Sequence, residues 1–240
     1  MAKGSNTTSH PSSAHLTLAT LFQTGLRRTY AKGEIILRSD ESNNDVFYIS
    51  DGFIKAYSLN NRGEAYVHLI RAKGEFFPVS WINGHKKHNL YFETLSPCKI
   101  SVLPQATFRK AIKESLPLSN EVLQWAVEML DVYGDRLDNL QYKYAQERVI
   151  YRLLFLARRF GVTQVDGACL INVPLSQQLI ANSINVSREN VSRELERLQR
   201  KGLVKYVEKR IAIQDIKSLE TLVPGQLNFS FKNTLLNSSE

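Results

Sequence analysis

The sequence predicts an α+β protein: short antiparallel strands closed into a barrel or roll, then one long helix, then a helix-turn-helix with a two-stranded wing. Three observations predict it. Between positions 26 and 103, β-branched and aromatic stretches recur about every ten residues, punctuated by Gly33, Asn43-Asn44, Asp51-Gly52, Gly63, Gly74, Asn83-Gly84 and Ser96-Pro97. After Pro104 the apolar period becomes helical, and Leu123, Leu130, Leu137 and Tyr144 fall seven residues apart. Between Pro174 and Ile213, two short helical patterns flank the turn Ser183-Ile184-Asn185-Val186 and lead into a basic ribbon.

In chain order, residues 1–15 are rich in Ser, Thr and Asn and read as a disordered leader. Residues 16–115 make the β domain, opened by a short helix at 16–23, with strands expected at 34–38, 46–50, 53–59, 66–71 and 99–103. A short amphipathic helix follows at 108–112. The long helix is expected over 116–145, with Leu123, Ala126, Leu130, Tyr133, Leu137, Leu140 and Tyr144 as an a/d seam. Such a seam pairs helices of two copies or packs on the chain's own roll. Gly134 interrupts it at about 1 kcal/mol of helix propensity. Residues 146–223 form the winged helix-turn-helix, opening on a helix at 147–160 whose Val149, Leu153, Leu156 and Phe160 suit a core. The wing strands are expected at 203–207 and 210–214, and 224–240 is a tail.

Within the second helix of the motif, Ser187 is placed as an N-cap, and Val186 and Val191 as a hydrophobic staple. At 100° per residue Val191, Leu195 and Leu198 share one arc, and Arg188, Glu189, Ser192 and Arg193 share another. Arginine grips guanine O6 and N7 with two bonds, glutamate accepts from cytosine N4, and serine bonds several base edges. A face of this kind in the first two turns of a helix suits the major groove of double-stranded DNA. Ser176, Gln177, Gln178, Ser187, Arg197, Lys205, Lys209 and Arg210 are candidate phosphate contacts around it.

Composition agrees. The chain has 240 residues and a formal charge of +8, with 31 Lys and Arg against 23 Asp and Glu. Thirteen basic and eight acidic residues fall in 145–223, so the excess is densest around the motif, as a phosphate-facing surface requires. No apolar run reaches the length of a membrane span and no signal peptide is evident, and two cysteines, Cys98 and Cys169, make no disulfide framework. A cytoplasmic protein is therefore expected. No nucleophile–base pair, HExxH, CxxC or phosphate-binding glycine loop is present, so no enzymatic activity is expected.

The segments YAKGEIILRSDESNNDVFYISDGFIKAY, GEFF (74–77) and VSRENVSRELERL, in that order and spacing, resemble the CRP/FNR family of bacterial transcription regulators over 26–219. The resemblance implies a cyclic-nucleotide-binding-like β-roll, a parallel dimer along the long helix, and RNA polymerase as a protein partner. It also aligns Arg188, Glu189 and Arg193 with base-reading positions of the CRP type, and Glu189, Ser192 and Arg193 with those of the FNR type. Half-sites related to TGTGA or TTGAT are then expected. Where cyclic-AMP-binding members hold ribose and phosphate, this chain has Val79-Ser80 and His88-Asn89, and Tyr133-Gly134 replace the adenine-facing hydroxyls. A buried phosphate without arginine lacks its strongest partner, which argues against cyclic AMP. The cysteine count excludes an iron–sulfur cluster of four cysteines, and His68, His85 and His88 read as surface or core rather than haem ligands. No cofactor or metal is expected. Phe77, Trp81, His88, Asn89 and Tyr133 remain the candidate pocket for a small effector, although core packing explains such aromatics equally well. Two other readings stay open: a cyclic-AMP-responsive regulator with a divergent pocket, and a ligand-binding module whose helix-turn-helix contacts protein.

Overall fold

The computed structural model describes residues 17–79, 89–225, 227 and 229, except the side chain of Leu140. A short helix α1 (Leu18–Gln23) leads into eight strands: β1 (Leu26–Tyr30), β2 (Ile35–Leu37), β3 (Asp45–Asp51), β4 (Ile54–Leu59), β5 (Ala65–Arg71), β6 (Phe76–Phe77), β7 (Tyr91–Thr94) and β8 (Cys98–Pro104). They form two antiparallel four-stranded sheets, ordered β1-β8-β3-β6 and β2-β7-β4-β5. Phe47, Ile49, Phe77, Phe92, Ile100 and Val102 share one buried cluster drawn from both sheets. This is the antiparallel roll the turn spacing predicts, and β3 and β8 pair from Asp45 and Pro104 inward.

Helix α2 (Gln105–Glu114) and the long α3 (Leu116–Asp138) follow. Ser115 caps α3 by accepting from Leu118 N at 3.4 Å, and Pro117 occupies the first turn, where its missing N–H costs nothing. One face of α3 is spent inside the chain. Leu118, Val122, Trp125, Met129 and Val132 are buried, and the Trp125 ring lies 4.1 Å from that of Phe76.

The structure corrects the sequence reading here. The long helix ends at Asp138, not near 145; a 3₁₀ turn (Asn139–Gln141) follows, and the next helix, α4 (Ala145–Phe160), begins at once. The chain breaks because its side chains serve the junction instead. Asn139 donates to Arg148 O at 3.2 Å, Arg148 Nε donates to Tyr142 O at 2.8 Å, and Tyr142 is buried. Tyr144 therefore starts α4, its backbone N–H bound by Glu147, and does not extend the seam; Leu140 lies in the 3₁₀ turn.

Helix α4 is wrapped on nearly every side, with Val149, Leu153, Leu156 and Phe160 at 1% exposure or less. Around it lie β9 (Gly161–Thr163), β10 (Cys169–Ile171), α5 (Gln177–Ile184), α6 (Arg188–Arg200), β11 (Val204–Val207), β12 (Arg210–Ile213) and α7 (Ile216–Glu220). The four strands make a third antiparallel sheet, ordered β11-β12-β10-β9. One apolar core runs from α1 through α3 and α4 to α6. Among the described residues, no helix is long and apolar enough to cross a membrane.

Buried charge fixes the roll against α4. Glu75, at the turn before β6, accepts from Arg71 Nη1 at 3.1 Å and from Arg159 Nη2 of α4 at 2.9 Å, and all three side chains are nearly inaccessible. The Ala72 backbone N–H also donates to this carboxylate, at 3.2 Å. Removing one partner of a buried ion pair strands the others without compensation. Glu75→Ala is therefore expected to cost about 3–5 kcal/mol, read as a lower urea midpoint; an unchanged midpoint would show that the pairing carries no stability.

Candidate nucleic-acid interface

Helices α5 and α6 meet at a turn that only certain residues accept. Asn185 closes α5 in the left-handed region at φ 53°, and its backbone N–H returns to Ala181 O. Ser176 caps α5 by accepting from Leu179 N at 3.0 Å, and Ser187 caps α6 by accepting from Asn190 N at 3.2 Å. Val191, Leu195 and Leu198 pin α6 to the core at 1% exposure or less, with half-buried Val186 packed against the same core. The Ser187 cap expected from the sequence is in place, and both staple residues, Val186 and Val191, belong to or pack on the same core.

The opposite side of α6 faces solvent. Arg188, Glu189 and Arg193 are exposed, whereas Ser192 is half-buried with its hydroxyl donating to Glu196 Oε1 at 3.1 Å. Arg193 is steadied by a hydrogen bond from its guanidinium to the side-chain oxygen of Asn190. The backbone N–H of Glu189 itself, then the Ser187 hydroxyl, hold its carboxyl below the usual carboxylate range, with Arg188 and Arg193 adding to the effect. It is an anion at neutral pH, as a hydrogen-bond acceptor for cytosine must be.

The surrounding cations are not equivalent. Arg197 forms a two-pronged pair with the buried Glu194, at 2.8 and 2.6 Å, and that bond raises its pKa. Lys205 on β11 pairs with Asp166 at 3.1 Å. Lys209 and Arg210 stand at the wing turn, where the Lys209 carbonyl accepts from Leu175 N at 3.1 Å and so ties the wing to the entry of α5. Ser176, Gln177, Gln178 and Lys209 line one side of a cleft of about 520 Å³ whose other wall is the roll, with Lys32, Lys55 and Glu93. Gln178 Nε2 donates within α5 to Asn182 at 2.6 Å.

A second groove of about 520 Å³ runs beside α6 and gathers Arg193, Arg197 and Arg200 with Asn190, Tyr144 and Gln146. Asn190, Gln146 and Arg200 were not singled out from the sequence. Asn190 was legible as the i−3 neighbour of Arg193 on a helix surface; Gln146 reaches the groove only because the long helix breaks before it.

Of the candidate effector residues, Trp81 and His88 lie outside the described residues. Phe77 is at 0% exposure, stacked on Phe47 at 5.3 Å and Phe92 at 4.6 Å, so its ring is used in the core of the roll. Asn89 is exposed, and Tyr133 sits on the outer flank of α3. His68 is bonded to Ser58 at 2.8 Å. Cys98 is buried in the roll, and burial pushes its thiol up.

Comparison with known proteins decides the family. A profile described as the cyclic nucleotide-binding domain matches residues 27–115, and one described as the Crp-like helix-turn-helix domain matches residues 147–222. The chain belongs to the CRP/FNR family of transcription regulators. Among its relatives, the global nitrogen regulator of Nostoc sp. is 26% identical over 77% of this chain and 83% of that protein. The nitrogen fixation regulation protein FixK of Rhizobium meliloti is 24% identical over 89% of this chain and 90% of its own length. The structure of FixK2 from Bradyrhizobium japonicum superposes with a TM-score of 0.73 at 22% identity, covering 85% of this chain and 99% of that one. Members of the CRP/FNR family are regulators, not enzymes, and the winged motif described above is their DNA-binding domain.

The left-handed turn is directly testable. A β-branched side chain at φ 53° meets the following carbonyl, which costs roughly 1–2 kcal/mol. Asn185→Val is expected to lower the urea midpoint accordingly while Asn185→Gly does not; equal midpoints would mean the turn imposes no such constraint.

Proposed function

We propose that the protein is a homodimeric, sequence-specific regulator of transcription that reads a near-palindromic operator with α6 and responds, through its β-roll, to an effector not yet identified. One observation carries the reading: Arg188, Glu189 and Arg193 project from a helix whose apolar edge is wholly buried, so the polar face is rigid and available. Base readout requires such rigidity, because a bidentate arginine–guanine contact discriminates only if the side chain arrives in register. The half-sites TGTGA or TTGAT fit this face, with Arg193 and Glu189 sharing one G·C pair. Two such helices presented about one turn of duplex apart would match the symmetry of the operator.

The dimer rests on the second face of α3. Leu123 (62% exposed), Val127 (50%), Leu130 (70%) and Leu137 (65%) form a solvent-facing apolar row opposite the buried one. With Gly134, whose open side would admit a Cβ without contact, their spacing is 4, 3, 4 and 3 residues, the period of a coiled-coil seam. This revises the expected seam: Val127 and Gly134 replace Ala126 and Tyr133, which stand to one side. RNA polymerase is the expected protein partner of such a regulator. Nothing in the reading calls for a cofactor, and Val79, exposed where a ribose-binding residue would stand, supports an effector other than cyclic AMP.

Arg193→Ala should reduce discrimination between operator and single-base variants by about 1–3 kcal/mol in a gel-shift series, with non-specific affinity far less affected. Retention of the parent's preference would refute α6 as the reader. Leu130→Glu should give protomers in sedimentation equilibrium at concentrations where the parent is a dimer. A Leu130→Glu protein that stays dimeric would move the interface away from α3.

A further inference from the structure

Helix α6 holds two of its arginines by partners of different kinds. Arg193 and Arg197 each bond to a side chain three residues earlier, where neighbours on one helix face meet. For Arg197 that partner is the carboxylate of Glu194, 6% exposed, which accepts from Nε at 2.8 Å and from Nη2 at 2.6 Å. For Arg193 it is the side-chain oxygen of Asn190, which accepts from Nη2. The two arrangements share a spacing and differ in charge. Glutamate cancels the positive charge of Arg197, whereas an amide, a neutral acceptor, directs Arg193 and leaves its charge whole.

A carboxylate competes for Arg193. Glu189 stands four residues towards the N-terminus, the order in which an acid and a base on a helix surface attract best. Among the described residues no ion pair joins them; the Arg193 guanidinium goes to Asn190. The Glu189 carboxyl is held by its own backbone N–H and by the Ser187 hydroxyl, and Arg193 contributes least of the groups acting on it. Both reading charges are thus anchored separately, one at the helix entry and one a turn further on. Asn190 itself is half-buried and lines the groove beside α6 together with Arg193.

We propose that Asn190 is a positioning residue for base readout: its amide oxygen holds the Arg193 guanidinium apart from Glu189, so that both charges arrive at one G·C pair directed and unneutralised. The inference rests on the reading of α6 as the recognition helix. One donor spent on Asn190 leaves the rest of the guanidinium fork for guanine O6 and N7. Ordering a long side chain at an interface carries an entropic cost, which an arginine already held in place avoids. A duplex without that guanine gives Arg193 nothing to grip, so it gains nothing from the ordering. The advantage therefore falls on the matching sequence alone, and Asn190 acts on specificity without reading a base itself.

The test uses the full-length protein and the tighter-binding of two palindromic duplexes, with TGTGA or TTGAT half-sites. Its counterpart has the G·C pair of each TGA step changed to A·T, and fluorescence anisotropy gives the ratio of the two affinities. Asn190→Ala is expected to narrow that ratio by about two- to tenfold. Its urea midpoint should be no lower than the parent's, because alanine is the better helix former and the Ser187 cap bonds the backbone N–H of residue 190, not its side chain. Added to Arg193→Ala, the same substitution should change the ratio no further, since the amide acts through that guanidinium. An unchanged ratio in Asn190→Ala, or a further loss in the double variant, would overturn the assignment while leaving α6 as the reader. An Arg193→Ala protein that keeps the parent's ratio would overturn the reading of α6, and this assignment with it.

Discussion

The carboxylate of Glu75 fixes α4, the first helix of the DNA-binding domain, against the roll. Two arginines converge on it, one from the end of β5 and one from α4, in surroundings where an unpaired charge is expensive. Phe160 adds an edge-on contact to Phe53 of the roll, and Tyr151 donates to the backbone of α3. A hydrophobic contact tolerates sliding; a buried carboxylate with fixed donors does not. The DNA-binding domain is thus held to the roll by directional interactions, the kind that has two discrete arrangements, made or broken, instead of a continuum.

Helix α3 serves two masters through its two apolar faces. The row Leu118, Val122, Trp125, Met129 and Val132 belongs to the roll, and the row from Leu123 to Leu137 remains uncovered within one chain. Their centres lie on opposite sides of the helix, so a shift of the roll against Trp125 is felt on the outer row. Arg136, on the last turn, reaches the α5 backbone at Ser183 from the same rod. The roll and α5 therefore meet on one common element.

Much of this was legible in the sequence because local chemistry and tertiary role agree. The strands, the N-caps Ser176 and Ser187, the staple and the left-handed Asn185 follow from turn residues and from period-2 and period-3.6 patterns. The break after Asp138 was not legible, because a heptad row carries on through Leu140 and Tyr144 while the helix is ended by Asn139, Tyr142 and Arg148, whose partners lie across a turn. The division of α3 into a buried and an exposed row was hidden for a related reason: a sequence with apolar residues on two faces of one helix offers more than one heptad, and only burial separates them. Phe77 shows the limit for pocket residues, since an aromatic in a roll reads alike as ligand wall or core filler until its stacking on Phe47 and Phe92 is seen. The buried arginines were counted as surface charge by any composition argument, although Arg71, Arg152 and Arg159 are at most 3% exposed.

The charges flanking α6 settle how a bound duplex would be divided between specific and non-specific contact. On the α5 side, a backbone phosphate entering the cleft meets Lys32, Lys55 and Lys209, but Lys55 is held by Glu93 at 2.9 Å, and Glu93 and Glu208 share the lining. The cleft is close to neutral and offers little to a phosphate. On the other side, the groove beside α6 carries Arg193, Arg197 and Arg200 against Glu194 and Glu196; Glu194 is consumed by Arg197 and Glu196 accepts from Ser192. Positive charge without an ion pair among the described residues thus lies on Arg193 and on Arg188 at the helix entry, and also on Arg200 in the groove. Arg200, Lys201, Lys209 and Arg210, for which no ion pair is seen among the described residues, remain for phosphates around that face, so the affinity is expected to fall as salt rises. Discrimination falls to α6 itself, which is why the burial of Val191, Leu195 and Leu198 matters as much to recognition as the arginines they hold in place.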